Sequence, residues 1–361
     1  MQLGIIGLPN VGKSTLFNAL TNASANVANY PFCTIEPNIG VVPVQDDRLS
    51  FLAEIFQSEK IVPASVEFVD IAGLVKGASQ GEGLGNKFLS HIREVDALLH
   101  VVRCFEDGDI AHVESTIDAV ADYRTVETEL ILADIEHLER RHERVARAAK
   151  GRTRDALDEL AVIERLLGHL NEGNPARDFI FDENDGELIR HLSLLTMKPE
   201  MIVANIAESD DGFSKHCLNA LKDTFDAEKV IVPLSSRIEA EIAELPAEDQ
   251  ILFIEELGMD SSGLTLVIRE AYALLGLISF FTANKNEAHA WTIPRGSSAY
   301  DAAGVIHTDF QRGFIRAEVL PLDELLARRS LVAAREKGLV RSEGKTYIVR
   351  EDDFILFRFN V

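Results

Sequence analysis

The sequence predicts an α/β fold built on a mostly parallel sheet, and three features of the chain lead to this prediction. Short apolar runs that end in small or polar residues occur at 2–6, 66–70, 97–103, 199–205 and 229–234, and stretches of helical periodicity separate them. Two amphipathic segments interrupt this alternation at 126–170 and predict an antiparallel helical hairpin, or coiled coil. After residue 280 short strands and turns follow, with the last strands expected at 345–349 and 354–359, which is typical of a small α+β domain.

The first predicted strand leads into a glycine-rich loop. Residues 7–14 read G-L-P-N-V-G-K-S, which is the phosphate-binding pattern G-x-x-x-x-G-K-S, and a helix is predicted to follow. The glycines let backbone N–H groups converge on a phosphate chain, and the helix N-terminus adds its dipole. We expect Lys13 to reach the β- and γ-phosphates and the Ser14 hydroxyl to bind Mg²⁺. The residues expected to hold the phosphates are Asn10, Val11, Gly12, Lys13, Ser14 and Thr15.

Two further positions are expected to complete a magnesium site. Thr34 lies in a loop rich in proline and asparagine, where a nucleotide-dependent switch places a second hydroxyl ligand. Asp70 ends an apolar strand and begins the sequence D-I-A-G, so its carboxylate is expected to hold the metal through water. The backbone N–H of Gly73 is then expected to face the γ-phosphate. An ordinary turn threonine remains the alternative for Thr34.

The group that orients the attacking water is harder to assign. Leu74 stands where many GTPases carry a glutamine, and leucine neither donates nor accepts a hydrogen bond. His112 follows a loop rich in glycine and aspartate and is a candidate for positioning this water near neutral pH. A surface histidine without a catalytic role is the more frequent alternative.

The base is predicted from residues 205–208, N-I-A-E, which follow a strand. A GTPase normally carries N-K-x-D there, and its aspartate accepts two hydrogen bonds from guanine. In this chain Ile206 and Glu208 replace the lysine and the aspartate, whereas the Asn205 amide matches the N6 donor and N7 acceptor of adenine. Together with Ser235 at the end of the last strand, these residues predict a pocket for ATP, with GTP as the alternative.

The tip of the predicted hairpin is basic in a chain whose net charge is −23. Because most of the surface repels nucleic acid, a local reversal of charge indicates contact with RNA or the ribosome. A solvated helix face is the alternative. The candidates are Arg141, Arg144, Arg147, Lys150, Arg152 and Arg154, with Arg140 beside them.

Composition predicts a cytoplasmic protein. The chain has three scattered cysteines without C-x-x-C spacing, which fits a reducing compartment. It has no apolar run long enough to span a membrane, and its first residues enter a strand without a basic, cleavable segment. We therefore expect no membrane partner.

These motifs resemble the YchF subfamily of Obg-like P-loop ATPases, and the resemblance covers essentially the whole chain. It depends on G-L-P-N-V-G-K-S-T at 7–15, Y-P-F-C-T at 30–34, D-I-A-G-L-V-K-G-A at 70–78, R-C-F-E-D-G-D-I-A-H-V-E at 103–114 and N-I-A-E at 205–208. The last part of the chain is similar to the TGS domain, a β-grasp module. The family implies an ATP-preferring hydrolase that associates with the ribosome, and it implies that a hydrophobic residue at Leu74 is a shared trait.

The sequence thus predicts a P-loop nucleotide-binding domain at 1–125 and 197–278, a helical hairpin insertion at 126–196 and a TGS-like domain at 279–361. The expected activity is slow, Mg²⁺-dependent ATP hydrolysis by a monomeric nucleotide switch on the 70S ribosome or its large subunit. An Obg-type GTPase is one alternative. A non-catalytic, nucleotide-gated module that binds RNA or the ribosome is another.

Overall fold

The computed structural model describes residues 1–25, 38–71, 84–110, 116–150, 154–182, 185, 189, 191–208, 212–259 and 261–360. The chain forms two compact units. The first consists of Met1–Gly40 and Glu67–Val267, and the second of Val41–Val66 and Ile268–Val361. Every helix in the described part of the chain is too short or too polar to cross a lipid bilayer.

Two six-stranded sheets organise the chain. The strands are β1 Gln2–Ile6, β2 Ile39–Pro43, β3 Lys60–Val62, β4 Ser65–Asp70, β5 Ala97–Cys104, β6 Glu200–Ile206, β7 Ile231–Leu234, β8 Leu277–Ala283, β9 Glu287–Pro294, β10 Phe314–Pro321, β11 Arg341–Glu343 and β12 Asp353–Phe359. The first sheet has the order β2-β4-β1-β5-β6-β7 and the second the order β11-β10-β12-β8-β9-β3.

Helices occur in both units, and those of the first unit alternate with the strands of the first sheet, as the sequence predicts. They are α1 Lys13–Ala25, α2 Arg48–Phe56, α3 Leu84–Glu94, α4 Ala119–Ala149, α5 Arg154–Asn171, α6 Gly212–Thr224, α7 Ser236–Glu244, α8 Ala247–Glu256, α9 Gly263–Leu274, α10 Ala299–Ile306, α11 Thr308–Arg312, α12 Leu322–Arg328 and α13 Leu331–Glu336. Single 3₁₀ turns lie at Ala176–Asp178 and Leu195–Met197.

The first sheet is the predicted parallel sheet. β1 pairs in parallel with β4 and β5, and β6 pairs in parallel with β5 and β7. Every residue of β5 is buried, which explains its mostly apolar sequence. Because the paired strands are parallel, the C-terminal ends of β1, β4, β5, β6 and β7 lie at one edge of the sheet.

The predicted helical hairpin is formed by α4 and α5. Its apolar seam is buried, with Ile131 and Leu138 from α4 against Ile163 and Leu166 from α5. Helix α4 begins at Ala119, before the expected start at 126, because the Asp118 carboxylate accepts hydrogen bonds from the first-turn amides of Val120 and Ala121, each at 3.0 Å.

The second unit contains the predicted small α+β module. A strand is expected at 345–349, but there the structure has an isolated bridge from Ile348 to Ser298, and the strand next to β10 at that edge of the sheet is β11. β3 pairs in parallel with β9, so residues 41–66 belong to this unit although the predicted borders grouped them with the phosphate loop. The division into three domains stays a prediction.

Candidate nucleotide site

The phosphate-binding loop joins β1 to α1 through residues that adopt positive φ angles. Gly7 has φ 145°, and a Cβ there would lie 2.4 Å from the backbone oxygen of Val101. Gly12 has φ 101°, and its Cβ would lie 2.2 Å from Nδ2 of Asn205. Only glycine fits at either position, because the backbone is strained for other residues and there is no room for a side chain. The loop therefore has the tight path that phosphate binding requires.

Lys13 is the first residue of α1 and is buried, with 7% of its surface exposed. Its Nζ donates a hydrogen bond to the backbone oxygen of Leu8 at 2.6 Å. Burial lowers the pKa of Lys13 to about 8, and the charge of Asp70 opposes this shift. A buried ammonium group with one neutral acceptor favours an anionic ligand, because a phosphate would compensate its lost hydration.

Ser14 and Asp70, two of the residues expected to hold magnesium, lie within hydrogen-bond distance of each other. The Ser14 hydroxyl donates to Oδ2 of Asp70 at 3.0 Å. The other carboxylate oxygen of Asp70 is buried and has no hydrogen-bond partner among the described residues. These hard oxygen atoms fit Mg²⁺, which binds one or two protein groups and completes its shell with waters and substrate phosphates. In the described ranges no group of three or more His, Cys, Asp or Glu residues could hold a metal ion.

A cavity of about 730 Å³ extends from the phosphate loop to the ends of β5, β6 and β7. Of the predicted ATP residues, only Val11 does not line it. The lining residues are Asn10, Gly12, Lys13, Ser14, Thr15, Phe105, Glu106, Asp107, Ile110, Asn205, Ile206, Ala207, Glu208, Ser235, Ser236 and Arg237. The structure therefore brings the phosphate loop and the predicted base pocket into one site.

Asn205 joins two loops of this site. Its Nδ2 donates to the backbone oxygen of Val11 at 2.9 Å, and its Oδ1 accepts from the backbone N–H of Ser236 at 2.9 Å. From the sequence the amide is expected to bind adenine, and this bracing role is not predicted. Since each atom retains capacity for a second hydrogen bond, a contact with the base stays a prediction.

Glu208 and Ser235 also have protein partners that the sequence did not predict. Oε1 of Glu208 lies 2.9 Å from Nε of Arg237, and both side chains are largely exposed. The Ser235 hydroxyl accepts from the N–H of Ile238 and thereby caps α7. The neighbouring Ser236 hydroxyl is buried and has no hydrogen-bond partner in the described part of the chain. The base end of the cavity therefore presents an ion pair and a buried hydroxyl.

Arg103 holds a loop in the wall of the cavity, a role that was not predicted from the sequence. It is 1% exposed, and its guanidinium donates to the backbone oxygens of Phe105, Asp107 and Ile110, each at 3.1 Å. It also lies over the Phe105 ring at 4.5 Å. Burial lowers the pKa of Arg103, and the nearby Asp107 and Asp122 oppose this shift. An arginine next to the end of a mostly apolar strand was the available sequence signal.

The basic residues of the hairpin differ in their surroundings. Arg141 pairs with Glu159 across the two helices at 2.6 Å, so it stabilises the hairpin and is less available to RNA than predicted. Arg144 and Lys150 are exposed. Arg147 and Arg154 are also exposed, with long ion-pair distances of 3.4 Å to Glu143 and 3.8 Å to Asp158.

Four predicted site residues lie outside the described residues: Thr34, Gly73, His112 and Arg152. Leu74 also lies there. Their expected roles stay predictions.

A parallel α/β sheet with a phosphate loop after its first strand, and a Ser–Asp pair beside that loop, defines the class of P-loop nucleoside triphosphatases with a GTPase-like fold. The family model described as a 50S ribosome-binding GTPase matches residues 2–135. The YchF-GTPase C-terminal family, described as a protein of unknown function, matches residues 277–360.

The chain belongs to the YchF family. It is 49% identical over 364 residues to the ribosome-binding ATPase YchF of Bacillus subtilis, with 100% of both chains covered. The ribosome-binding ATPase YchF of Pasteurella multocida is 51% identical, over 100% of this chain and 99% of the relative. The solved structure of the Schizosaccharomyces pombe YchF GTPase matches with a TM-score of 0.90 and 35% identity, over 99% of this chain and 97% of that one.

Proposed function

We propose that this protein binds and slowly hydrolyses ATP with Mg²⁺ and acts as a nucleotide switch on the 70S ribosome or its large subunit. The relatives named as ribosome-binding ATPases support the partner and the nucleotide. We further propose that it is a cytoplasmic monomer.

The observation that carries the choice of ATP is the pairing of Glu208 with Arg237 at the base end of the cavity. Guanine needs a carboxylate that accepts two hydrogen bonds, and here the carboxylate is longer than aspartate and is neutralised by a guanidinium. The apolar Ile206 occupies the adjacent position in the cavity wall. Adenine does not need a carboxylate acceptor and binds such a pocket without losing a hydrogen bond. Guanine would leave its hydrogen-bond donors unpaired there, which lowers its affinity.

The opposite end of the cavity contains the residues that we propose bind the phosphates and the metal. The backbone of the loop and the Lys13 ammonium group would bind the phosphates, and Ser14 and Asp70 would hold Mg²⁺ together with Thr34. Bound Mg²⁺ would offset negative charge on the phosphate oxygens. With leucine at position 74, water must be oriented by another group, for which His112 is our candidate, and turnover is expected to be slow.

Nucleotide preference can be tested and reversed with one pair of residues. Calorimetry should show tighter binding of ATP than of GTP to the wild type. The double variant Ile206→Lys with Glu208→Asp restores the guanine pattern and should shift the ratio of the two affinities toward GTP by at least about tenfold, or 1.4 kcal/mol. Glu241→Asp is the control, because Glu241 lies 3.6 Å from Arg237 on α7 but does not line the cavity. Tighter binding of GTP by the wild type would contradict the proposal and support the GTPase alternative.

The catalytic role is tested separately from binding. Hydrolysis of ATP measured with and without ribosomes should show low basal turnover and stimulation. Negligible turnover under both conditions would favour the non-catalytic switch. A His112→Ala variant that keeps the wild-type turnover would remove His112 from the mechanism.

The ribosome contact is tested at the hairpin with exposed residues alone. Arg144→Glu with Arg147→Glu should weaken co-sedimentation with 70S ribosomes, because the change replaces attraction to phosphate by repulsion. Arg124→Glu with Lys222→Glu changes the net charge equally at exposed sites nearer the sheet and serves as the control. Equal pelleting of both double variants would move the contact away from the hairpin tip.

A further inference from the structure

Helix α8, Ala247–Glu256, exposes large apolar side chains to solvent. Ile251 is 61% exposed and Leu252 is 59% exposed, and Leu257 just beyond the helix is 43% exposed. Single exposed aliphatic residues are ordinary, but here three lie within seven positions of the chain, and Ile251, Leu252 and Leu257 are together called the apolar strip.

Acidic residues surround this strip. Glu248 and Asp249 precede Leu252 by four and three residues, and Glu255 and Glu256 follow it by three and four. In an α-helix these four positions are the neighbours of the central residue on the helix surface. All four carboxylates are exposed, and residues 245–259 contain no lysine or arginine. Leu252 thus stands in a ring of negative charge that no basic residue of its own segment offsets.

We propose that α8 docks its apolar strip into an apolar pocket rimmed by lysine and arginine on a protein component of the ribosome. The assignment rests on the proposed ribosome association and adds a second contact to it. RNA is disfavoured as the occupant, because four carboxylates repel phosphates. Association of two copies through this helix would bring eight carboxylates together, whereas a basic rim complements them.

The contact differs in kind from that of the hairpin tip. The tip carries exposed cations suited to phosphate, whereas α8 carries an apolar centre with an acidic rim, the arrangement of a protein–protein contact with a buried anchor residue. Helix α8 follows α7 after Pro246, and α7 begins at Ser236 on the nucleotide cavity. The docking helix is therefore close in sequence to the base end of that cavity.

A photo-crosslinking residue at position 252 tests the occupant directly. We would incorporate p-benzoylphenylalanine there, irradiate the full chain with purified 70S ribosomes and identify the product. The same substitution at Val332, which is 64% exposed on α13 without an acidic ring, is the control. The proposal predicts a crosslink to a ribosomal protein from position 252 that is absent from position 332. A crosslink to ribosomal RNA, to a second copy or to nothing would overturn it.

The affinity of the protein for ribosomes is the second measurement. Leu252→Ser and, separately, Glu255→Lys with Glu256→Lys should each weaken ribosome binding at least tenfold, whereas Val332→Ser should not. Since Leu252 does not line the nucleotide cavity, ATP affinity and helix content should stay at wild-type values in these variants and report correct folding. Unchanged binding by Leu252→Ser, with the wild type still pelleting, would overturn the docking assignment alone. If the wild type does not pellet, the proposed function fails and the assignment fails with it.

Discussion

Arg103 shows how one buried side chain can fix a loop that carries no regular structure. Its three hydrogen bonds of 3.1 Å hold the backbone of residues 105–110, four of which line the nucleotide cavity. Burial of a guanidinium is costly unless its donors are satisfied. The planar fork of arginine reaches several carbonyls at once, whereas a lysine ammonium is a single point.

We therefore predict that Arg103→Lys keeps the charge but weakens nucleotide binding. Losing two of three charge-assisted bonds leaves the loop less ordered, and ordering it on binding should reduce ATP affinity by about tenfold, or about 1.4 kcal/mol. Calorimetric titration checks the affinity. Arg124→Lys on the exposed face of α4 is the control and should bind ATP as the wild type does. Equal affinities for the two variants would mean that the loop needs no arginine.

His100 gives a prediction about pH. It is 1% exposed in the middle of β5 and stacks on Tyr123 with 4.6 Å between ring centres. Its Nε2 has no hydrogen-bond partner among the described residues. Burial lowers the pKa of His100 to about 4, against an ordinary 6.5, and the nearby Glu200 opposes the shift. The unfolded chain therefore binds the proton first as pH falls.

Acidification is expected to lower the stability of the folded protein through His100. Between pH 6.5 and 4 the unfolded state holds more protons at this site, so stability falls on acidification in that window and the loss is complete below pH 4. The total is about 3 kcal/mol. His100→Phe keeps the stacking and should lose less stability over this range, as measured by denaturant unfolding at several pH values. His91→Phe at an exposed site should follow the wild type. Parallel curves for all three proteins would contradict the assignment.

Individual residues were predicted to different degrees. The phosphate loop could be located because its glycines are required by backbone geometry that leaves a fixed spacing in sequence. The bracing role of Asn205, the Glu208–Arg237 pair and the Arg141–Glu159 pair could not, because each joins residues whose distance depends on how strands and helices are arranged.

At the scale of elements, the site is held together by loops that meet at one edge of a sheet. Asn205 ends β6 and connects the loop before α1 with the start of α7. Its two backbone partners are themselves buried, with Val11 1% and Ser236 2% exposed. Each loses its hydrogen bond if the amide is removed.

We predict that Asn205→Ala destabilises the first unit by roughly 2–5 kcal/mol, because it leaves a buried N–H and a buried carbonyl unpaired. ATP binding should fall with it, since the phosphate loop loses its brace. Chemical denaturation followed by calorimetry separates the two effects. Asn171→Ala is the control, because Asn171 also donates to a backbone oxygen, that of Leu167 at 2.7 Å, but is exposed, and the change should cost less than about 0.5 kcal/mol. Similar losses for both variants would argue against the brace.

Elements were predicted best where periodicity was long. The apolar seam of the hairpin could be predicted for both helices from its periodicity. The start of α4 could not, because it depends on the cap that Asp118 forms. Short elements were not predicted. For example, β3 has three residues and is a strand only because it pairs with β9. The expected strand at 345–349 had a suitable composition but lacked a neighbouring strand to extend it, which is a tertiary condition that local sequence does not contain.

At the scale of the whole molecule, the nucleotide cavity belongs to one unit. All its lining residues lie in Met1–Gly40 or Glu67–Val267. A ligand that binds only the folded form of a unit stabilises that unit by mass action, whatever the contacts it makes. The chain nevertheless crosses between the units near residues 40, 66 and 267, so the two are not independent pieces of sequence.

We predict that ATP with Mg²⁺ protects the two units unequally. At a free ligand concentration of about 100 times Kd, the first unit gains about 2.7 kcal/mol, which slows exchange through its unfolding by about 100-fold. Hydrogen exchange followed by mass spectrometry should show this slowing in β5 and β6, with a smaller change in β10 and β12. Lys13→Ala is the control, because it removes the phosphate-binding cation and should abolish the difference. Equal slowing in both sheets would show that the units unfold as one, and the nucleotide would then act on the stability of the entire chain.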